Sequence, residues 1–313
     1  MDFYKRKYIC QSYGLDSSST FSLLNNGENL TYLIDSNTEK FVIRQYRVNR
    51  YTYDEILAEI NWLLTLQEHL LVPSVIPNKK GELVTSITVN EKFTYYFVVF
   101  KFIEGNSILQ PSFFDYEKLG TLMRSLHEKS YYVLKETPND WIGYKRPIFN
   151  EHLTIQESLQ RLINAPFLSN AEKNKCIKLA ERIQELISSN KLGEKQFVHG
   201  DMHFGNILET KEGWYLLDFD ECGFGYMEFD IGVPRIHLLA SNQLKEKWLP
   251  FISGYKKAIS ESAIRIGTAI RLFYMAGKIP VRMDIDHIRK QPDEFINRYL
   301  RYIEEEISGD TVV

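Results

Sequence analysis

The sequence is short of cysteine, of long apolar runs and of surplus charge of either sign. Cys10, Cys176 and Cys222 are odd in number, far apart and never arranged as Cys-x-x-Cys, so neither a disulfide framework nor a thiolate metal site is expected. Apolar runs such as Tyr95-Tyr96-Phe97-Val98-Val99-Phe100 fall far short of the roughly 20 residues that span a bilayer. The charged opening, MDFYKRKYIC, leads into no apolar stretch of signal-peptide type, and a reducing, cytoplasmic location is expected. A formal net charge of −3 offers no basic footprint for a polyanion, and nucleic acids are set aside as main partners.

What remains is an ordinary globular composition, 44% hydrophobic and 25% charged over 313 residues, enough for two compact units. The first hundred residues alternate strand-like runs with turn signals: Phe21 to Leu24, then Asn25-Asn26-Gly27, Leu30 to Ile34, Asp35-Ser36-Asn37, and Phe41 to Tyr46. One helical segment interrupts them, with Ile56, Ile60, Leu63 and Leu64 on one face and a start near Thr52. Extended structure resumes at Leu83 to Ile87 and Phe93 to Phe102. From about Asp115 helical periods dominate, through 170 to 190, 243 to 259, 261 to 277 and 293 to 306. A strand-rich island sits inside this part, Gln196 to Val198 and Trp214 to Phe219, bracketing a polar loop.

That loop reads His199-Gly200-Asp201-Met202-His203-Phe204-Gly205-Asn206. Phosphoryl transfer from a nucleotide needs a carboxylate to orient the attacking hydroxyl, oxygen ligands for Mg²⁺, and cations or amides along the phosphates. Asp201 and Asn206 share the short loop, and Asp218 follows at the end of the next strand as a second hard oxygen ligand.

His-Gly-Asp-x-His-x-Gly-Asn followed by Leu-Leu-Asp-Phe-Asp-Glu resembles the signature of the aminoglycoside phosphotransferase and choline kinase family. The resemblance implies an α+β, bilobal, protein-kinase-like fold. Its small antiparallel-sheet N-terminal lobe with one helix would take residues 1–103, and its larger, mainly helical lobe 104–313. It also implies ATP and Mg²⁺, with Asp201 as catalytic base, Asn206 and Asp218 as metal ligands, His199 as loop support and Asp230 as a structural aspartate. Upstream, Gly27 and Asn29 of Asn25-Asn26-Gly27-Glu28-Asn29 resemble the phosphate-covering turn. Phe41-Val42-Ile43-Arg44 resembles the strand that carries the nucleotide-binding Lys, with Arg44 as a departure: a guanidinium forks onto phosphate where an ammonium is a point charge. Glu59 matches the helix glutamate that pairs with that cation, although Glu55 lies one turn earlier on the same face. Phe100 to Ile103 resembles the hinge, where backbone groups of Lys101 and Ile103 would meet the adenine edge.

Within the family, the stretch from Phe41 to Leu66 and Asp218-Phe219-Asp220-Glu221 looks similar to bacterial stress-response kinases and homoserine-kinase-like members. The acceptor implied is the hydroxyl of a small molecule, an aminoglycoside, choline or homoserine-like alcohol, cationic if Glu304-Glu305-Glu306 faces it; a protein Ser or Thr is the alternative. Two rivals come from other classes. His199 and His203, four apart around Asp201, suggest a zinc hydrolase, against which Gly200 and Gly205 disfavour a regular helix and Asn206 is left without a task. Arg44 at the Lys position suggests a non-catalytic nucleotide-binding protein. His127, His152, His237 and His287 receive no role.

Overall fold

The computed structural model describes residues 1–27, 29–89, 92–136, 145–190 and 192–308; Glu28 of the glycine turn lies outside them. The chain divides into two compact units. The first takes Met1–Ser107, the stretch around Lys145-Arg146, and Ile207–Asp220.

Its main sheet is antiparallel, in the order β1 (Thr20–Asn26), β2 (Leu30–Asp35), β3 (Lys40–Gln45), β6 (Phe93–Lys101), β4 (Val75–Ile76), with β5 (Thr85–Val89) also paired to β6. Side chains alternate across a pleated strand, so Tyr32 and Ile34 of β2, Ile43 of β3, and Phe97 and Val99 of β6 gather on one core with Ile9 and Cys10. Phe97 to Phe100 are buried without a break, as in a strand covered on both faces. The helix expected near Thr52 is α2 (Tyr53–Leu66): Thr52 Oγ1 accepts from the Glu55 amide at 3.3 Å and the Glu55 carboxylate accepts from the Thr52 amide at 2.7 Å, a reciprocal cap. A second helix, α1 (Phe3–Tyr13), precedes the sheet. It carries no apolar stripe, since only Ile9 and Cys10 are buried, and periodicity therefore passes over it. Asn25 and Asn26, read as a turn, belong to β1, which bulges between Leu23 and Asn25. A small sheet joins β7 (Asn106–Ser107), β9 (Ile207–Glu209) and β10 (Trp214–Leu216).

The second unit is mainly helical: α3 (Phe113–Glu136), a π-helical turn His152–Glu157 running into α4 (Ser158–Ile163), α5 (Asn170–Ser189), α6 (Met227–Ala240), α7 (Leu244–Tyr255), α8 (Glu261–Lys278), α9 (Asp286–Lys290) and α10 (Pro292–Ser308). One antiparallel ladder, β8 (Lys195–Val198) with β11 (Gly223–Tyr226), sits among them. α6 was not legible from its pattern, because it is apolar on nearly every side and contains Pro234. α8 runs through the core, burying Ile266, Ala269, Ile270, Leu272, Phe273 and Ala276. Among the described residues no helix is long and apolar enough to cross a membrane.

α3 and α7 touch backbone to backbone. A Cβ on Gly254 would lie 1.8 Å from the Glu117 carbonyl oxygen, and one on Gly120 would lie 2.1 Å from that of Phe251. Gly254→Ala is therefore expected to cost about 1–3 kcal/mol, the range for an overpacked contact. Urea denaturation checks it, and a midpoint equal to wild type would refute the close approach.

Candidate active site

The polar residues of interest fall into two sets, one in each unit. In the first unit Arg44 leaves β3 with its guanidinium between two carboxylates: Nη1 donates to Glu59 Oε1 and Nη2 to Asp218 Oδ1, both at 2.9 Å. Burial works against the charged guanidinium, but Asp218 and Glu59 outweigh it and raise its proton affinity. Glu59 is fully buried and also accepts from the Tyr46 hydroxyl at 3.2 Å. Glu55 is committed to the cap of α2, which resolves the choice between the two glutamates. Asp218 has φ 61°, the left-handed region that aspartate tolerates better than most residues and that is often occupied where function fixes the backbone.

The remaining nucleotide-side expectations are placed as follows. Asn29 is buried and donates from Nδ2 to Asp220 Oδ2 at 3.0 Å. The Gly27 carbonyl accepts two hydrogen bonds from Arg47, from Nε at 3.2 Å and Nη2 at 2.8 Å. The Lys101 amide donates to the Ser74 carbonyl at 2.8 Å, so any hinge contact of Lys101 falls to its carbonyl. Ile103 lies just past β6, half-buried and outside any strand. Arg146 was missed in the sequence: its buried guanidinium donates to the backbone carbonyls of Asp220 and Glu55 and stands 3.9 Å from Glu59 Oε2.

In the second unit the loop after β8 is held from beneath by Asp230, on α6. Its Oδ2 accepts from the His199 amide at 3.0 Å, its Oδ1 from the Gly200 amide at 2.8 Å, and His127 Nε2 lies 3.0 Å from Oδ2. His127 Nδ1 is in turn 2.8 Å from the Tyr255 hydroxyl. Although assigned nothing from sequence, His127 thus belongs to the support of the loop. Gly200 has φ 79°, and a Cβ there would lie 2.4 Å from the Glu221 carbonyl oxygen; only glycine meets both conditions. His199 is fully buried and its Nδ1 accepts from the Asp201 amide at 3.1 Å.

These contacts present Asp201 with two unlike oxygens. Oδ2 accepts from Asn206 Nδ2 at 3.1 Å and lies 3.4 Å from His203 Nε2, while the Asp201 carbonyl accepts a second bond from Asn206 Nδ2 at 2.8 Å. Oδ1 faces Arg271 Nη2 at 3.6 Å, too long for a hydrogen bond. Burial alone would push the Asp201 carboxyl up, but the hydrogen bond and charge of His203, with Arg271 and His199, hold it well below the usual carboxylate range. Asp201 is therefore ionised at neutral pH. With its amide nitrogen spent on Asp201, Asn206 keeps Oδ1 as an oxygen donor.

His203 stacks on His237 with centroids 4.4 Å apart. Together with Phe204, Tyr116 and Lys247 they line a cavity of about 580 Å³ beside the loop. His199 Nδ1 and both ring nitrogens of His203 turn to the loop itself, and among the described residues no three His, Cys, Asp or Glu side chains converge as a metal cluster. Glu304-Glu305-Glu306 is engaged elsewhere: Glu304 pairs with Lys175, Glu305 with Arg301, and buried Glu306 with Arg235 at 2.9 Å. Arg271 and Glu221 were missed. Their signal was a lone arginine in the apolar run Ala269-Ile270-Arg271-Leu272-Phe273 and a fourth acidic-motif position left unassigned.

Comparison with known proteins is consistent with this arrangement. Stress response kinase A of Escherichia coli K12 is 25% identical over 219 residues, 68% of this chain and 62% of that protein, so the match spans less than two thirds of the relative's length. Among solved structures, a microcompartment-associated aminopropanol kinase superposes with a TM-score of 0.76 at 19% identity, covering 97% of this chain and 95% of the other. The amicoumacin kinase hAmiN, solved with AMP-PNP, Ca²⁺ and its Ami ligand, does so at 0.78 and 16%, covering 99% and 94%. These two likenesses establish the bilobal kinase-like fold. A family model, described as that of the phosphotransferase enzymes, matches residues 22–234, about two thirds of the sequence, and the chain accordingly belongs to the phosphotransferase enzyme family.

Proposed function

We propose that this protein transfers the γ-phosphoryl group of ATP to a hydroxyl of a small-molecule acceptor. The observation that carries the reading is Asp201: an ionised carboxylate with Oδ2 tied to its own loop and Oδ1 accepting no hydrogen bond from any described residue. An acceptor hydroxyl donating to Oδ1 would be aimed for attack. Its oxygen forms a bond to the γ-phosphorus as the bond from that phosphorus to the β,γ-bridging oxygen breaks, ADP departs, and the hydroxyl proton passes to Asp201. Because the carboxyl holds protons weakly, its first task is orientation, with proton transfer late in the step.

The oxygen donors of Asn206 and Asp218 suit Mg²⁺, and these two residues would hold it. When bound, the ion offsets charge on the phosphates. Arg44 keeps a second hydrogen on each terminal nitrogen beyond those given to Glu59 and Asp218, and would use them on phosphate oxygens. Gly27 and Asn29 would cover the phosphates, with the Lys101 carbonyl and Ile103 amide at the adenine edge. The AMP-PNP complex of hAmiN supports nucleotide binding.

The test is phosphate transfer from ATP, with and without Mg²⁺, to a panel of neutral, cationic and anionic alcohols and to Ser/Thr peptides. A Mg²⁺-dependent phosphorylated alcohol is expected. Phosphorylation of peptides alone would replace the small-molecule reading. Stabilisation by Mg²⁺-ATP without transfer to anything would leave a nucleotide-binding protein.

A further inference from the structure

Arg271 is a buried cation with little to hold it. It is 4% exposed, and among the described residues neither Nε nor Nη1 has a hydrogen-bond partner. Its nearest carboxylate oxygen is Asp201 Oδ1, at 3.6 Å. The guanidinium lies over two rings, Phe229 at 5.1 Å and Tyr274 at 5.7 Å, which favour its charge but accept none of its in-plane N–H groups. Unpaired buried donors are costly.

The next acidic group, Glu221, helps Arg271 through its charge but gives neither Nε nor Nη1 a hydrogen bond. Glu221 Oε1 is taken by Lys278 Nζ, with Arg282 Nη2 at 3.9 Å. Three cations thus stand beside the two carboxylates here: Arg271 by Asp201, and Lys278 and Arg282 by Glu221. A cationic acceptor would meet the buried Arg271 beside Asp201, and Glu304 to Glu306 are paired away.

Resting on the reading of Asp201 as the carboxylate that receives the acceptor hydroxyl, we propose that the acceptor also carries an anionic oxygen group, a carboxylate or a phosphate, and that Arg271 binds it. The oxygen of Asp201 open to the hydroxyl is the one facing Arg271, so the reacting group and the guanidinium are neighbours by construction. A guanidinium presents two forks to the paired oxygens of a carboxylate or phosphate, Nε with Nη2 and Nη1 with Nη2, and in Arg271 each fork has one nitrogen without a hydrogen-bond partner among the described residues. The acceptor's acid group thus stands only a few bonds from its reacting hydroxyl.

Matched short alcohols decide it: hydroxypropionate, glycerol phosphate, hydroxypropionamide and aminopropanol, each with saturating Mg²⁺-ATP. For wild type, kcat/KM is expected to be at least about tenfold higher for one of the two acids than for the amide or amine, a gap of one charge-assisted contact. Carboxylate against phosphate separates the two sources of the anion. Arg271→Gln should shrink that preference to under about threefold through KM, and Arg271→Lys, which keeps the charge without the fork, should restore part of it. Preference for aminopropanol, or an acid preference that survives Arg271→Gln, overturns the proposal. So does an equal fall in kcat for every acceptor, which would put Arg271 on the transferred phosphoryl group. Binding is read separately by saturation-transfer NMR with AMP-PNP and Mg²⁺, and failure of both acids to bind wild type also overturns it. Acids that bind through Arg271 without being phosphorylated would sink the proposed activity and leave this recognition standing.

Discussion

Asp201→Asn is expected to lower phosphoryl transfer by about 10²–10⁴-fold, the range for removing a positioned acid-base group, with nucleotide binding retained. The substitution conserves size and leaves one oxygen to accept from Asn206, so the loop keeps its shape. The loss is of charge: a neutral amide neither attracts the hydroxyl proton nor receives it. Thermal stabilisation by Mg²⁺-ATP should match wild type, since Arg44, Glu59 and Asp218 bond to one another without Asp201 and Asn206 keeps its bond to the backbone carbonyl of residue 201. Turnover at the wild-type rate would remove Asp201 from the chemistry.

The largest expected loss of stability comes from Asp230→Ala. Asp230 is fully buried and receives the His199 amide, the Gly200 amide and the His127 imidazole. Deleting its carboxylate strands all three, and breaking one side of such a buried network costs about 3–5 kcal/mol. Transfer activity should fall as well, because the two amides fix the backbone on which Asp201 stands. Acid gives this a signature. Burial pushes the Asp230 carboxyl up, but the hydrogen bond and charge of His127, with His199, hold it below its ordinary value. The unfolded chain then binds more protons than the folded one as pH falls through the ordinary carboxylate range, around pH 4. The stabilisation is present above that range and is lost as pH falls toward the folded-state value. Urea unfolding from pH 3 to pH 7 should show Asp230→Asn, which retains one acceptor, approaching wild type as the solution is acidified. A constant gap across that window would deny Asp230 its charged role.

The same network separates what pattern reveals from what it hides. Asp201, Asn206 and Asp218 could be proposed from the sequence because the chemistry proposed for them depends on side-chain type and short spacing along the chain. α2 was legible because Thr52 and Glu55 cap it within one turn and its apolar residues repeat locally. α1 was missed because two buried residues leave no period to read, and α6 because a helix buried nearly all round has none either. His127 looked like an ordinary core histidine, since its partners are Asp230 and Tyr255, more than a hundred positions away.

Arg271 marks the limit most clearly. In the sequence it is one arginine among apolar neighbours, with nothing to say whether it pairs, snorkels or waits. By itself the sequence determined the strands and α2 of the first part, the helical periods that follow, and the order of polar side chains from His199 to Asn206, because each rests on local periods or on residues close in the chain. Only the tertiary structure decided that Glu59 rather than Glu55 meets Arg44, that Asp230 and His127 carry the loop, and that Asp201 turns one oxygen toward an under-partnered guanidinium. Those outcomes depend on which distant side chains share a buried volume, where the worth of a charge is set by the partners packed against it and not by its place in the chain.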